Sequence, residues 1–287
     1  MVCEVAVATL AIMAPVPPVT LNNGVEIPQV GFGVFLVPPD ETKAAVLSAL
    51  EIGYRHIDTA ALYGNEAEVG AAITESGIDR GDLFVTTKCW NSDQGFEESQ
   101  AAFAQSLDRL QMDYVDLYLI HWPTPARDKY VDTWRRFEHL YESGGTRAIG
   151  VSNFQTAHLQ RLLDECAVVP AINQVELHPR LQQAELRLFH DKHAILTEAW
   201  SPLARGHLLD DPTIAKLASK HNVSPAQVIL RWHLDLGNVI IPKSVNPERM
   251  AANIDLFSIR LDDEDYERIA SLEAGQRIGP DPDQFNR

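Results

Sequence analysis

Eight short apolar runs divide this chain, and a helical pattern follows each of them. The runs are Gln29–Gly31, Arg55–Asp58, Leu83–Lys88, Val115–His121, Ala148–Val151, Ala171–Val175, Ile195–Glu198 and Val239–Pro242. Several are apolar at consecutive positions, as strands covered on both faces should be. The segments between them carry helix signals. Asn65 and Glu68 form a capping-box pattern, and Gly77 can end that helix. Phe103, Leu107 and Leu110 recur at helical spacing, as do Tyr130, Trp134, Phe137 and Tyr141. Ser224-Pro225-Ala226-Gln227 supplies a cap, a proline at the first helical position and a glutamine at the third. Asp262 and Asp265 open a last helix. This alternation, with no break in composition, predicts an α/β protein: a single (β/α)8 TIM barrel over residues 19–287. A doubly wound sheet would carry a G-x-G-x-x-G turn after its first strand. Here Gly31-Phe32-Gly33 runs on to Val34, Phe35 and Leu36 with no third glycine in place. Ahead of the first run, residues 20–27 read as a β-hairpin turning at Asn22-Asn23-Gly24. It is expected to close the bottom of the barrel.

The 287 residues carry a formal charge of −16. That balance argues against a nucleic-acid partner or an anionic membrane surface, both of which need clustered Lys and Arg. No stretch approaches the roughly 20 apolar residues of a membrane span. Cys3, Cys89 and Cys166 are too few for a disulfide framework or a zinc cluster, so a reducing, cytoplasmic setting is expected. Met1 to Pro18 has no Lys or Arg before its apolar stretch Val5 to Met13, which makes it a poor signal peptide. Residues 1–18 read as a loose extension, ended by Pro15, Pro17 and Pro18. The tail from Glu273 to Arg287 is polar and reads as a surface loop. With an acidic surface and no obvious apolar stripe, a monomer is expected.

A barrel places its chemistry at the C-terminal ends of its strands. The second run ends at Asp58, with Tyr63 five residues on; the third ends at Lys88 and the fourth at His121. Taken singly, each has an ordinary structural reading as a cap, a packing residue or a surface charge. Together they put four ionisable types on three adjacent strand ends. A phenol of reference pKa about 10 is a weak acid at neutral pH. An ammonium ~4 Å away at an effective dielectric of ~20 favours the phenolate by ~4 kcal/mol, at most ~3 pK units. Asp58 would hold Lys88 charged and offset part of that shift. His121 could donate to a substrate oxygen. The set suits protonation of a carbonyl oxygen that is gaining negative charge. It does not suit a metal, and no metal is expected.

Five segments together resemble the aldo-keto reductase family. They are Gly53–Glu66 (GYRHIDTAALYGNE), Thr86–Trp90 (TTKCW), Asp116–Pro123 (DLYLIHWP), Ala148–Phe154 (AIGVSNF) and Ile241–Arg249 (IPKSVNPER). Trp200 in Glu198–Leu203 (EAWSPL) and the short tail resemble the bacterial branch that includes 2,5-diketo-D-gluconic acid reductases. The resemblance implies NADPH-dependent carbonyl reduction, with Tyr63 as proton donor, Lys88 and Asp58 tuning it, and His121 orienting the carbonyl. It places Phe35, Trp90 and Trp122 beside a small carbonyl substrate such as an aldehyde, a dicarbonyl or a keto-sugar. It also implies a cofactor site. Ser152, Asn153 and Gln174 can bond a nicotinamide carboxamide, and Trp200 offers a flat face to its ring. Ser201 and Leu203 belong to a loop that could fold over the pyrophosphate. Lys243, Ser244 and Arg249 suit a phosphate monoester, which favours NADPH over NADH, and Val245 between them is a further cofactor-site residue. Asn253 could bond the adenine edge. The family commonly has Glu-Asn where this chain has Ala252-Asn253, so one adenine contact is expected to be missing.

Other readings stay open from sequence alone. Lys88 could be the nucleophile of a Schiff-base aldolase, which would need no nucleotide cluster. The chain could instead be a cofactor-binding regulatory subunit with little turnover. Glu176 and His178 could suggest a metal pair, though no third ligand is near in sequence. Cys89 beside Lys88 could be a reactive thiol, but strand alternation would turn it away from the rim.

Overall fold

The computed structural model describes residues 16–287; the expected extension, its apolar stretch and Cys3 fall largely or wholly outside them. A hairpin of β1 (Pro18–Thr20) and β2 (Glu26–Pro28) comes first, turning at Gly24 with φ 85°. Eight parallel strands follow: β3 (Phe32–Gly33), β4 (His56–Asp58), β5 (Phe84–Cys89), β6 (Val115–Ile120), β7 (Thr146–Ser152), β8 (Ile172–Glu176), β9 (Leu196–Trp200) and β10 (Val239–Ile240). They pair in sequence order. A parallel bridge between Val30 and Ile240 closes the two edges, supported by Gly31 N donating to Ile240 O at 2.8 Å. The first barrel strand therefore lies just beyond the expected Gln29–Gly31. Those residues serve instead as the seam with β10.

The helices are α1 (Pro39–Ile52), α2 (Glu66–Ser76), α3 (Phe96–Leu110), α4 (Tyr130–Glu142), α5 (Thr156–Glu165), α6 (Ala184–Lys192), α7 (Pro212–His221), α8 (Pro225–Asp235), α9 (Pro247–Ile254) and α10 (Asp263–Ala270). The capping boxes at Ser224/Gln227 and Asp262/Asp265 form as expected. The one at Asn65/Glu68 does not. Asn65 still precedes α2, but its amide is buried and donates to Val34 O and Val37 O at 3.2 and 3.3 Å, while accepting from Thr59 at 2.9 Å. Tying the β3–α1 loop to the β4 end satisfies more buried groups than one cap bond does. None of the described helices is long and apolar enough to cross a membrane.

Strand alternation sorts side chains into two cores. Phe84, Leu117, Leu119, Ala148, Ile172 and Val239 fill the lower barrel, with Leu21 and Ile27 of the hairpin packed on them. The larger cluster lies between sheet and helices. Cys89 points into that outer cluster and is fully buried. Burial pushes its thiol up to about 12, so it is an inert packing residue rather than a reactive thiol. Above the apolar layer the barrel interior turns polar, which is where the site begins.

Candidate active site

Lys88 is fully buried near the top of β5, and its ammonium has three acceptors. It donates to Asp58 Oδ1 at 2.6 Å, to Thr59 O at 2.9 Å and to Tyr63 Oη at 3.3 Å. All three N–H bonds are used. Burial alone would lower its pKa, but Asp58 and then Tyr63 carry it above the ordinary lysine value. Lys88 is thus a charged donor with no free lone pair, which removes the basis for a Schiff-base nucleophile. Tyr63 ends a short 3-10 turn, Ala61–Tyr63, directly after β4. Because Lys88 donates to its oxygen, the hydroxyl hydrogen of Tyr63 is free to serve an acceptor in the cavity that the ring lines.

The direction of the Tyr63 shift corrects the sequence expectation. Its pKa rises to about 12. Burial is the largest cause; Lys88 pulls the value down, but Asp58 works against Lys88. A phenolate stripped of water loses more than one shared ammonium returns. His121 follows β6 and lines the same cavity, with its ring 5.7 Å from that of Tyr63. Burial, then the Lys88 charge, hold its pKa well below the ordinary histidine value, so the ring is neutral. Its backbone is fixed on both sides, the amide donating to Cys89 O and the carbonyl accepting from Asn153 Nδ2 at 2.9 Å. The four rim residues therefore meet.

The three aromatic candidates join them. Phe35 lies 5.0 Å from the Tyr63 ring and Trp90 5.1 Å from that of His121. Trp122 is almost buried and meets the ring of Phe285 at 4.6 Å. Phe285 is a wall residue that the sequence reading passed over; the tail is a largely exposed loop, as expected, but one held against the cavity. Residues 273–287 cross the top of the barrel under several ties. Ile278 N and Gly279 N donate to the two oxygens of Glu176 at 2.5 and 2.9 Å. Asn91 Nδ2 donates to Arg287 O at 2.7 Å. Gly279 runs so close to Trp200 that a Cβ there would lie 2.5 Å from ring atom Cη2. Glu176 is held ionised for this work: burial would raise its pKa, but His178 and the two tail amides bring it below the ordinary value. That accounts for the Glu176–His178 pair without a metal. Among the described residues no group of three His, Cys, Asp or Glu side chains could hold one.

From the rim, one cavity of about 960 Å³ runs to the start of α9. All the residues expected to hold a cofactor line it. Ser152 and Asn153 are buried at the end of β7, and their donors are already used. Ser152 Oγ donates to Gln174 O at 2.8 Å, and Asn153 Nδ2 donates to His121 O and to Ser152 Oγ. Gln174 Nε2 donates to Asp58 Oδ2 at 2.8 Å and to Glu198 Oε2 at 2.9 Å. What these amides can still offer a carboxamide is their acceptor oxygens. Trp200 Nε1 donates to Asn153 Oδ1 at 2.8 Å, which fixes the plane of the indole. Ser201 and Leu203 border the cavity in a tight turn, in which Ser201, Ala204 and Arg205 all take left-handed φ near 50°. Arg205 is exposed on that wall and is a further cation the sequence reading had not singled out.

At the far end Lys243 and Arg249 are exposed and pair with no acid among the described residues. Ser244 Oγ accepts from Asn246 N at 3.1 Å, shaping the loop before α9, while Val245 stands half exposed. Asn253 is buried on the α9 wall beside Ala252. Unpaired cations at one end, a fixed aromatic plane in the middle and amide acceptors below it fit a phosphorylated dinucleotide with an aromatic ring.

Comparison with known proteins bears on the same site. A sequence profile described as the Aldo/keto reductase family matches residues 31–274. The chain is similar to the glyoxal reductase of Bacillus subtilis (strain 168), with 53% identity over 268 residues, 93% of this chain and 96% of that one. It is similar to the methylglyoxal reductase DkgA of Escherichia coli (strain K12), with 49% identity over 269 residues, 93% of this chain and 97% of that one. Among solved structures, a mutant of Gox0644 in complex with NADPH aligns at a TM-score of 0.91 and 45% identity, covering 95% of this chain and 99% of that chain.

Proposed function

Because this chain belongs to the aldo/keto reductase family, we propose that it is an NADPH-dependent reductase of small aldehydes and dicarbonyls. The observation that carries the reading is the hydrogen bond from Lys88 to Tyr63 Oη at the cavity wall, which leaves the phenol hydrogen available to a substrate oxygen. When bound, the reduced nicotinamide supplies a hydride to the carbonyl carbon. The chain's own residues do the rest. The neutral His121 ring donates a hydrogen bond to the carbonyl oxygen and fixes its direction. Tyr63 gives its hydroxyl proton to that oxygen as it gains negative charge: the phenol O–H bond breaks, the alcohol O–H bond forms, and the phenolate left behind stays on the Lys88 ammonium until a solvent proton restores it. Burial raises the pKa of Tyr63, but a phenol starts well below the ~15.7 of water, the nearest reference for an alcohol, so it remains the stronger acid of the two. Asp58 keeps Lys88 charged throughout. Phe35, Trp90, Trp122 and Phe285 exclude water from the reacting oxygen.

Lys243, Ser244 and Arg249 would hold the adenosine phosphate, with Val245 lining the same end of the cavity. Asn253 bonds the adenine without the acidic partner that Ala252 replaces. Ser152, Asn153 and Gln174 orient the carboxamide, Trp200 stacks on the nicotinamide, and Ser201 and Leu203 border the pyrophosphate. The work belongs to one domain over residues 19–287, a cytoplasmic monomer that acts on a small carbonyl substrate with NADPH.

The test is the fall of reduced-nicotinamide absorbance with methylglyoxal, aromatic aldehydes and keto-sugars, each with NADPH and NADH, beside Tyr63→Phe. Turnover with NADPH that disappears in Tyr63→Phe supports the reading. Tight NADPH binding with no turnover by wild type points instead to a cofactor-binding regulatory subunit.

A further inference from the structure

Glu198 is an ionisable side chain inside the barrel that has no part in the reaction as derived. Glu198 sits in the middle of β9, fully buried, beside Val239 of β10. Its Oε2 accepts from Gln174 Nε2, and the same nitrogen donates its other hydrogen to Asp58 Oδ2. One amide thus bridges two buried carboxyls. Asp58 spends its remaining oxygen on Lys88. Glu198 Oε1 has no hydrogen-bond partner and lies 3.8 Å from His56 Nε2.

The titratable groups facing Glu198 are few. They are His56 and Asp58 on β4, Lys88 on β5 and Tyr63 at the rim; β8 presents only the uncharged Gln174. Burial lowers the His56 pKa to about 3, so His56 is neutral and is no counter-ion. The one buried Lys or Arg among the described residues, Lys88, is already paired with Asp58. A second ionised carboxyl would leave an uncompensated charge in the barrel, which is costly enough that such a group takes up a proton instead.

We propose that Glu198 is a positioning residue for the reduction: it holds a proton, fixes Gln174 across to Asp58 so that Asp58 is the sole carboxylate on Lys88, and sets the alkaline edge of activity. The role rests on the reductase reading above. Two consequences follow from the bridge. With both amide hydrogens of Gln174 spent on carboxyls, its carbonyl oxygen is the atom left for the cavity. And when Glu198 ionises, a second negative charge joins Asp58 behind Lys88, so the ammonium stabilises the Tyr63 phenolate less and proton transfer slows.

Burial first, and Asp58 second, push the Glu198 carboxyl up to about 8. The proton is therefore held at pH 7 and lost above pH 8. Infrared difference spectra of wild type against Glu198→Gln, taken without nucleotide, should show a protonated-carboxyl stretch at pH 7 that vanishes by about pH 9.5. In parallel, kcat/KM for methylglyoxal with NADPH should fall by up to about 30-fold in wild type between pH 7 and pH 9.5, on a tenfold-per-unit titration above pH 8. Glu198→Gln keeps an acceptor for Gln174. It should cost about threefold at pH 7 and move the alkaline edge to higher pH, whereas Glu198→Ala, which strands the bridge, should cost more than about tenfold. Absence of the infrared band at pH 7, or coincident pH profiles for wild type and Glu198→Gln, overturns the role of Glu198. A wild type that binds NADPH but reduces no carbonyl overturns the reductase reading, and this role with it, even where the infrared band is present.

Discussion

The two ends of the cavity are built on opposite principles. At the rim, Lys88 is fully buried and every one of its hydrogens has an acceptor within the protein. Asp58, Gln174, Asn153 and Trp200 are likewise bonded to one another or to the backbone. At the β10–α9 end Lys243 and Arg249 stand in solvent with no acidic partner among the described residues. A group that must develop or neutralise charge during a reaction gains from being organised beforehand in a dry site. A group that must capture an anionic ligand gains from having its charge unspent. The contrast separates proton transfer from nucleotide capture, and perturbations at the two ends should separate in the same way.

The largest effect belongs at the rim. Tyr63→Phe keeps the ring and loses the proton, and turnover should fall about 100-fold or more, the scale of general acid catalysis. The Kd for NADPH, measured by quenching of tryptophan fluorescence, should stay within about twofold, since uniform binding is untouched. A comparable loss of affinity would erase the division between the ends. Next in size, Lys243→Ala combined with Arg249→Ala should raise the Kd for NADPH roughly 10- to 100-fold, the worth of one or two charge-assisted hydrogen bonds. The Kd for NADH should change far less, and turnover at saturating NADPH should fall by much less than the affinity does. Phe285→Ala should raise KM for aromatic aldehydes about fivefold, on the order of 1 kcal/mol of lost apolar contact. If KM is unchanged, the tail is cover and not wall. Smallest, raising salt from about 50 to about 500 mM should weaken NADPH binding about threefold, because exposed charges are screened beyond a Debye length of a few ångströms. Turnover at saturation should not follow it, since Lys88 and Asp58 are out of reach of the salt.

Much of the site was legible because local pattern and global position coincide in a barrel. A residue at the end of an apolar run must lie at the rim, so Asp58, Lys88 and His121 could be placed before any contact was known. The capping signals at Ser224 and Asp262 worked because those helix starts have no competing demand. Asn65 carried the same signal and was used otherwise, since Val34 and Val37 offered it buried carbonyls from 28 to 31 residues away. The tail is the surface loop its composition implied, but its course across the site was not legible, for a related reason. Its composition is polar, but its amides meet Glu176, which is about 100 residues distant in sequence. The lone aromatic Phe285 in that polar stretch was the available signal.

Sequence alone determined the architecture, the order of the strands and the four residue types on the rim, because hydrophobic period and strand ends are local properties of the chain. Tertiary structure decided what those residues are electrically. Whether Tyr63 is made a stronger or weaker acid, whether Lys88 is nucleophile or donor, and whether Glu198 carries a proton depend on the balance of burial against neighbouring charge. That balance is set by groups from β4, β5, β8 and β9 meeting inside the closed barrel, and it acquires its sign only when the chain has brought them there.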